Sequence, residues 1–365
     1  MSGDVFSNIK IRGMELPNRF VRSATHDASA DNTGAVTDRS VHIYERLGEA
    51  NIGLIISGYA YVSDHGQARD GQYGAHIDEM VPGLKRMAMA AHRGGGKVAL
   101  QIAYTGMDSP HLRGKGIPSL VPSKIESSEF PHREMTGDDI EAIIRDFGTA
   151  AVRSREAGFD GVQLHGGHGY IFSQFLSPLT NQRTDGWGGT PENRWRFHVE
   201  VVKEMRRLVG HDFPLMIKLG IMDDELGGTE LSDGIAAAKE MIAAGIDSIE
   251  VSFGFGAEQF LKRAGDGPWF RERAAALKRT VNVPVMIVGR IRSLDTAQSI
   301  LDSGEADMIS MCRPFLREPE LVARWLAGDK RPSTCIDCFR CLNPLPGEDG
   351  SGELCRQDSD SGRCT

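Results

Sequence analysis

The sequence predicts an α/β protein, a (β/α)8 TIM barrel with a C-terminal cysteine-rich extension. Short apolar runs rich in β-branched residues alternate with amphipathic helical stretches along the 365 residues. Continuous apolar strands are typical of a parallel sheet that is buried on both faces. A weak repeat, in which a helix ends at glycine and an acidic residue leads into a strand, occurs three times. Eight strand–helix units in one chain favour a closed barrel over an open doubly wound sheet.

The predicted strands cover, in chain order, residues 19–25, 52–62, 97–106, 161–167, 214–220, 248–254, 284–290 and 306–312. Gly158, Gly245 and Gly304 precede three of them and would end helices in the left-handed conformation. One helix is predicted over residues 136–158, with Thr136 as its N-cap and acidic residues in its first turn.

Composition divides the chain into two parts and excludes several classes of function. Residues 1–330 form the predicted barrel domain, whereas residues 331–365 lack hydrophobic periodicity and are rich in Cys, Gly, Ser and acidic residues. A net charge of −8 argues against binding to nucleic acid. The first 20 residues lack the basic and apolar regions of a secretory signal, so we expect none, and no apolar run is long enough to span a membrane. We therefore expect a cytoplasmic protein that acts on a small molecule, and we expect it to be a homo-oligomer.

Two arginines lie where a barrel usually binds phosphate. Arg290 and Arg313 follow the seventh and eighth predicted strands, whose carboxyl ends form the phosphate corner of many barrels. Two guanidinium groups beside the flexible backbone of Gly289 suit a phosphate dianion. Under the alternative interpretation, both arginines pair with carboxylates on neighbouring helices.

Lys218 ends the fifth predicted strand, and three roles are open to it. It could be the cationic partner of an electron-rich cofactor. A lysine buried in a barrel can also lose its proton and form a Schiff base with a carbonyl substrate. The third interpretation is an ion pair with an acid such as Asp223 or Glu250.

Two histidines and a tyrosine follow the fourth predicted strand, in glycine-rich backbone that lets a ligand approach closely. His165 and His168 could donate two hydrogen bonds to one carbonyl oxygen and stabilise negative charge there. A tyrosine hydroxyl is protonated at neutral pH, so Tyr170 could supply a proton. A zinc site would need further ligands, and the sequence offers no complete set. Packing of the two rings in the core is the third interpretation.

The cysteines are crowded at the end of the chain, which in an intracellular protein favours metal or cluster ligation over disulfides. Cys335, Cys338 and Cys341 are separated by two residues each, and Cys355 follows. This spacing is common in [4Fe–4S] sites. Four thiolates would also suit zinc. The remaining interpretation is a set of thiols without a ligand.

Residues 165–197 resemble the signature of the Old Yellow Enzyme family over HGGHGYIFSQFLSPLTNQRTDGWGGTPENRWRF. Members of this family are FMN-containing NAD(P)H:flavin oxidoreductases built on a (β/α)8 barrel. The resemblance extends over residues 5–330 through LPNRFVRSAT, LIISGYAYVSDHGQ, VGRI and RPFLREPEL. The cysteine spacing after the barrel is similar to that of the 2,4-dienoyl-CoA reductase and trimethylamine dehydrogenase relatives, in which a cluster exchanges electrons with the flavin.

The resemblance implies a flavin site along the carboxyl ends of the strands. Its cofactor-binding residues would be Ser23, Ala24, Thr25, His26, Tyr59, Gln101, Lys218, Gly289, Arg290, Cys312 and Arg313. Within this set, Gln101 and Lys218 would contact the pyrimidine ring of FMN, and the last four would hold its phosphate. His165 and His168 would bind the carbonyl group of a substrate, and Tyr170 would be the proton donor.

The implied reaction is hydride transfer from NAD(P)H through FMN to an activated C=C bond of an α,β-unsaturated carbonyl or thioester. The main alternative is a flavin and iron–sulfur dehydrogenase that oxidises an amine or ether and passes electrons to a protein partner. An aldolase that uses Lys218, and a non-enzymatic cofactor carrier, are further alternatives. The chain departs from the family pattern in four ways: lysine replaces the common arginine at position 218, QIAYTGM replaces Gln-Leu-x-His-x-Gly-Arg, His26 replaces the Cys or Thr that often modulates the flavin potential, and Cys312 replaces glycine.

Overall fold

The computed structural model describes residues 3–107, 109–125, 130–263, 265–339, 341 and 355. Eight parallel strands form a closed barrel, which confirms the predicted fold class. They are β1 (Phe20–Arg22), β2 (Leu54–Ile56), β3 (Val98–Ala103), β4 (Gly161–Gly166), β5 (Leu215–Gly220), β6 (Ser248–Ser252), β7 (Val285–Val288) and β8 (Met308–Met311). Each strand pairs with the next along the chain, and the pairing of β8 with β1 closes the ring.

Helices follow the strands around the barrel. They are α1 (Asp38–Gly48), α2 (Val81–Arg93), α3 (Pro110–Gly114), α4 (Gly137–Glu156), α5 (Ile171–Leu176), α6 (Pro191–Val209), α7 (Leu231–Ala244), α8 (Ala257–Arg263), α9 (Arg271–Lys278), α10 (Leu294–Asp302), α11 (Arg313–Arg317) and α12 (Leu321–Leu326). The predicted cap of α4 is confirmed, because the Thr136 side chain accepts a hydrogen bond from the backbone N–H of Asp139. Gly158, Gly245 and Gly304 have φ values of 85°, 128° and 69°, as predicted for residues that end helices. No helix in the described part of the chain is long and apolar enough to cross a membrane.

A short antiparallel hairpin closes the amino-terminal end of the barrel. Its strands are Ile9–Ile11 and Met14–Leu16, and Arg12 in the turn has a φ of 49°. The hairpin packs against side chains that fill this end of the barrel; the cluster comprises Ile11, Met14, Leu16, Val21, Leu54, Ile56, Ala99, Met216, Met286 and Met308. Sequence analysis missed the hairpin, although IKIRGMEL carries the signal of an Arg-Gly turn between two alternating stretches.

The second predicted strand, residues 52–62, is two strands in the structure. The chain bends after β2, and a separate strand, Ala60–Tyr61, pairs with the end of β3. At the bend, a Cβ on Gly58 would lie 3.0 Å from the carbonyl oxygen of Thr25, so the two backbones pass closely. The bend leaves Tyr59 at the carboxyl end of the barrel. Further short strands in the loops are Tyr73–Gly74, Ser119–Val121 and His132–Glu134.

Helix α7 packs closely against the barrel at Gly234, and a substitution there tests this contact. A Cβ added to Gly234 would overlap the backbone carbonyl of Ile221. Because that carbonyl cannot move without displacing the end of β5, we expect Gly234→Ala to lower the free energy of unfolding by about 2–3 kcal/mol or more. Gly137→Ala is the matched control, since a Cβ there meets no atom within 4 Å and alanine favours a helix. Thermal unfolding of both variants measures the difference, and equal midpoints would contradict the prediction.

Candidate active site

Strand register groups polar side chains toward the carboxyl-terminal end of the barrel. Gln101 on β3 is paired with Gln163 on β4. His165 on β4 is paired with Lys218 on β5, which is paired in turn with Glu250 on β6. Paired residues of neighbouring parallel strands point to the same face of the sheet. The fold therefore brings together residues that are far apart in the sequence.

The two histidines and two tyrosines form a cluster at the end of β4. The ring centroids of His165 and His168 lie 5.1 Å apart, and that of Tyr170 lies 4.6 Å from His165. His168 has a φ of 60°, in the left-handed region, which turns the chain after the strand. The Tyr170 hydroxyl lies 3.4 Å from that of Tyr59. The structure thus brings the three predicted catalytic residues together, with Tyr59 beside them.

The surroundings of both histidines favour the neutral form over the charged form. Burial lowers the pKa of His165 well below its ordinary value, and positive charge on His168 or Lys218 would add to the effect. Desolvation by the surrounding protein also lowers the pKa of His168, with a further contribution from Lys218, although His168 is an exposed residue. The Nε2 atom of His168 lies 2.8 Å from the Ser252 hydroxyl. If Ser252 donates this hydrogen bond, the N–H of neutral His168 is at Nδ1 and is available to a ligand. Sequence analysis missed this role of Ser252.

The lowered pKa values predict how ligand binding responds to pH. A histidine with the ordinary pKa of about 6.5 gains a proton, and with it a second donor, as the pH falls through that value. Because the pKa of both His165 and His168 is lowered, their protonation does not change near neutrality. We therefore expect the affinity for an uncharged carbonyl ligand to stay constant between about pH 5.5 and 8. Titration of the ligand at several pH values checks this, and a transition centred near pH 6.5 would contradict it.

Lys218 is the centre of a buried polar network. Its Nζ donates to the Ser23 hydroxyl (2.7 Å) and lies 3.4 Å from Glu250 Oε1. The ion pair with Glu250 is therefore the sequence interpretation that the geometry supports. Gln101 Nε2 donates to Gln163 Oε1 (2.7 Å), and Gln163 Nε2 donates to Glu250 Oε2 (3.0 Å). The sequence signal for this network was Glu250, a glutamate inside the otherwise apolar run SIEVS.

Three arginines surround one carboxylate at the ends of β7 and β8. Asp337 Oδ1 lies 3.0 Å from Arg313 Nη1, and Asp337 Oδ2 lies 3.3 Å from both Arg290 Nε and Arg292 Nη1. Arg290 also pairs with the exposed Asp266 at 3.1 Å. The alternative of ion pairing is therefore right in part, but the shared carboxylate comes from the cysteine-rich extension rather than from a barrel helix.

This corner fits a phosphate group. The Asp337 carboxylate stands in for an anion and demonstrates that the guanidinium groups converge on a single negative charge. Gly289 has a φ of 107°, and a Cβ there would lie 2.8 Å from Trp269, so the position favours glycine for both its backbone conformation and its space. Bidentate guanidinium donors beside such backbone are suited to phosphate oxygens. Sequence analysis missed Arg292 and Asp337 because neither lies directly at a strand end.

The remaining residues expected to bind the flavin follow β1. The Thr25 hydroxyl lies 3.0 Å from Cys312 Sγ, which joins the end of β1 to the end of β8. The ring centroid of His26 lies 5.3 Å from that of Tyr59, and burial lowers the pKa of His26. Ala24 is half-buried against the cluster that fills the barrel. These residues line the same rim as the histidine pair.

The cysteine-rich extension gives no support to the predicted metal site within the residues that the structure describes. No group of three or more His, Cys, Asp or Glu side chains there is arranged to hold a metal ion. Cys335, Cys341 and Cys355 are free thiols, whereas Cys338, the fourth predicted ligand, is disulfide-bonded and so has no thiolate to offer a metal. Burial raises the pKa of Cys335, and burial together with Cys312 raises the pKa of Cys341 to about 11. A thiol must lose its proton to bind iron or zinc.

Comparison with known proteins finds one family and several NAD(P)H-dependent relatives. The NADH:flavin oxidoreductase / NADH oxidase family matches residues 4–330. The NADH oxidase of Thermoanaerobacter brockii is 31% identical over 370 residues, which cover 95% of this chain and 57% of that protein. The NADPH dehydrogenase of Geobacillus sp. (strain WCH70) is 35% identical over 318 residues, which cover 86% of this chain and 91% of that protein.

A solved structure of 2-naphthoyl-CoA reductase in complex with 2-naphthoyl-CoA is similar in fold, with a TM-score of 0.85 and 29% identity. The match covers 92% of this chain and 54% of that chain. The chain thus spans little more than half the length of two of these three proteins. Because the family match runs through the barrel and every strand end described above, the chain belongs to the NADH:flavin oxidoreductase / NADH oxidase family, the Old Yellow Enzyme family that the sequence predicted.

Proposed function

We propose that this barrel is an FMN-dependent NAD(P)H oxidoreductase that reduces an activated C=C bond of an α,β-unsaturated carbonyl or thioester. The observation that carries the proposal is the neutral pair His165 and His168, with ring centroids 5.1 Å apart, next to Tyr170. Lys218 lies opposite His165 on the neighbouring strand. This rim therefore carries two N–H donors, a hydroxyl and a cation. Such a set suits a reaction in which negative charge develops on a substrate oxygen and on a cofactor.

Residues at two places would hold FMN. Lys218 and Gln101 would contact the pyrimidine ring, and Gly289, Arg290 and Arg313 would hold the phosphate. When bound, FMN would accept a hydride from NAD(P)H and deliver it to the substrate. The charge of Lys218 would stabilise the negative charge that reduction leaves near N1 and the C2 oxygen. Membership of the flavin oxidoreductase family supports this assignment.

The histidine pair would activate the substrate. His165 and His168 would each donate one N–H to its carbonyl oxygen, drawing electrons from the conjugated C=C bond and making the β-carbon electrophilic. Tyr170 would hold the proton that adds to the α-carbon. Burial raises the pKa of Tyr59 well above its ordinary value, so the hydroxyl 3.4 Å from Tyr170 stays protonated. Hydride addition at one carbon and proton addition at the other complete the reduction.

Thioesters are the substrate class that a comparison supports directly. The 2-naphthoyl-CoA reductase structure holds an aromatic acyl-CoA thioester, and its barrel is similar to this one over 92% of this chain. A thioester carbonyl conjugated to C=C presents the same oxygen to two donors as an enone does. We therefore include enoyl thioesters with enones in the proposed range.

The decisive experiment uses the full chain, purified without oxygen. Its absorption spectrum is expected to contain flavin bands that NADH or NADPH bleaches. Addition of an α,β-unsaturated ketone or an enoyl-CoA should restore the bands, whereas the corresponding saturated compound should not. A colourless protein that cannot be loaded with FMN would overturn the proposal, and so would a reduced flavin that no activated alkene reoxidises.

The contact of the extension with the phosphate corner supports a second candidate, an oxidative flavin and iron–sulfur dehydrogenase. Asp337 lies between Cys335 and Cys338, so these cysteines are close to the arginines that would hold FMN. A [4Fe–4S] cluster, or zinc, bound by Cys335, Cys338, Cys341 and Cys355 of the extension (residues 331–365) belongs to this candidate alone, and it would require reduction of the disulfide at Cys338. Stoichiometric iron, together with flavin reduction by an amine, would favour it. The aldolase loses support because Lys218 forms an ion pair with the buried Glu250, whereas a Schiff-base lysine must present a free amine to its substrate.

A further inference from the structure

Glu250 is a charged residue at the centre of the barrel, and sequence analysis gave it no role of its own. Its side chain has an exposure of 0%. Oε1 accepts hydrogen bonds from the Ser23 hydroxyl (2.6 Å) and the Ser310 hydroxyl (2.7 Å), and Oε2 accepts one from Gln163 Nε2 (3.0 Å). Lys218 Nζ lies 3.4 Å from Oε1. Four groups from four strand ends thus converge on one carboxylate.

This arrangement keeps Glu250 ionised. Burial by itself raises the pKa of a carboxyl group, but the charge of Lys218 and the hydrogen bonds from Ser23, Ser310 and Gln163 outweigh it, and the pKa of Glu250 is lowered. A buried carboxylate without such partners would be strongly destabilising. A fixed negative charge therefore lies beside the cation that would face the pyrimidine ring of FMN.

The carboxylate also fixes the direction of a hydrogen-bond chain. Because an ionised carboxylate only accepts hydrogen bonds, Gln163 must present its NH2 group to Glu250 and its carbonyl oxygen to Gln101. Gln101 in turn donates through its own Nε2 at 2.7 Å. Its Oε1 is then the atom left to accept a hydrogen bond from a ligand. Flavin has one such donor in its pyrimidine ring, the N3–H group.

We propose that Glu250 is a positioning residue that orients Lys218 and Gln101 toward FMN and, by offsetting the charge of Lys218, lowers the reduction potential of the bound flavin. The inference rests on the proposed function, because it assumes FMN at this rim. Reduction adds negative charge near N1 and the C2 oxygen. Lys218 stabilises that charge, and the carboxylate of Glu250 opposes it.

The test is the midpoint potential of FMN bound to Glu250→Gln, compared with the parent chain. Glutamine has nearly the same shape and removes the charge. We expect the affinity for reduced FMN to rise about tenfold relative to that for oxidised FMN, which is about +30 mV for a two-electron couple. A purely structural role predicts weaker FMN binding with no change in potential. An unchanged or lower potential would therefore overturn the inference.

Two controls separate charge from packing. Glu250→Asp keeps the carboxylate and should retain a potential close to that of the parent. Ser310→Ala removes one hydrogen bond without changing the charge, so its potential should rise by much less than that of Glu250→Gln. If either control shifts the potential as much as Glu250→Gln does, the proposed effect of charge is wrong.

A further variant covers the case in which Glu250→Gln does not fold, since it leaves Lys218 buried without a counter-ion. The double variant Lys218→Met/Glu250→Gln is compared with the parent instead, because replacing a whole buried ion pair is often tolerated. If Glu250 offsets the charge of Lys218, removing both charges should leave the potential close to that of the parent, and a fall of about 30 mV or more, the change for a tenfold shift in relative affinity, would refute the inference. A parent chain that holds no FMN, or whose FMN is not reduced by NAD(P)H, would refute the proposed function and not this inference alone.

Discussion

The double variant His165→Ala/His168→Ala is expected to lose C=C reductase activity by about 100- to 1000-fold, the loss typical of removing preorganised donors to a developing oxyanion. The two rings meet edge to face, with centroids 5.1 Å apart, and the pKa of each is lowered, so each would be neutral with one N–H group. The double variant removes both imidazole donors to the carbonyl oxygen of the substrate. The β-carbon is then much less electrophilic.

The measurement is the rate at which an enone reoxidises the reduced enzyme under anaerobic conditions, with the Kd of a carbonyl ligand as a second readout. The exposed His211, in the loop before β5, provides the control His211→Ala. Flavin content should be equal in all three proteins, because neither member of the pair lies at the phosphate corner. A double variant with parental activity and ligand affinity would rule out the histidine pair as the carbonyl-binding group.

Arg313→Ala is expected to weaken FMN binding by roughly 10- to 100-fold, since one charge-assisted pair to a phosphate contributes about 1.5–3 kcal/mol. Arg313 lies over the ring of Phe339, with its guanidinium carbon 4.2 Å from the centroid, and is 3.0 Å from Asp337. These contacts hold the guanidinium group at the corner before a phosphate arrives. Riboflavin, which has no phosphate, should bind the variant and the parent equally.

Fluorescence titration of the flavin-free chain with FMN and with riboflavin measures both affinities. Arg279→Ala, an exposed arginine just after α9, is the matched control for loss of positive charge. Asp337→Asn provides the opposite test: it leaves the arginines in position and removes the competing carboxylate, so FMN should bind at least as tightly as in the parent. Equal losses of FMN and riboflavin affinity in Arg313→Ala would indicate general damage to the fold rather than a phosphate contact.

The fold and the rim of the site could be predicted from the sequence because both follow from local patterns. Apolar runs mark parallel strands, and the carboxyl ends of parallel strands meet at one end of the barrel. His165, Lys218 and Arg290 could therefore be assigned to one rim without knowledge of their contacts. The hairpin at the other end had a local signal as well, the alternation around Arg12 and Gly13.

The partners of these residues could not be predicted, because they depend on three-dimensional register. Lys218 had two candidate acids, and the sequence gave no reason to choose between them. Asp223 instead accepts hydrogen bonds from the backbone N–H groups of Thr229 and Phe255, which leaves Glu250 as the counter-ion. The bond from Ser23 to Glu250 spans 227 positions in the chain. Contacts of this kind appear only once the barrel has closed.

The hairpin that fills the amino-terminal end of the barrel has a kinetic consequence. Met14 and its neighbours pack against the side chains of β1, β2, β3, β5, β7 and β8, so the described residues fill this end of the barrel. Under the proposed function, electron donor and electron acceptor would then share the opening at the other end, one after the other. Turnover is then expected to follow a ping-pong scheme, with parallel double-reciprocal plots, and an excess of either reactant should compete with the other.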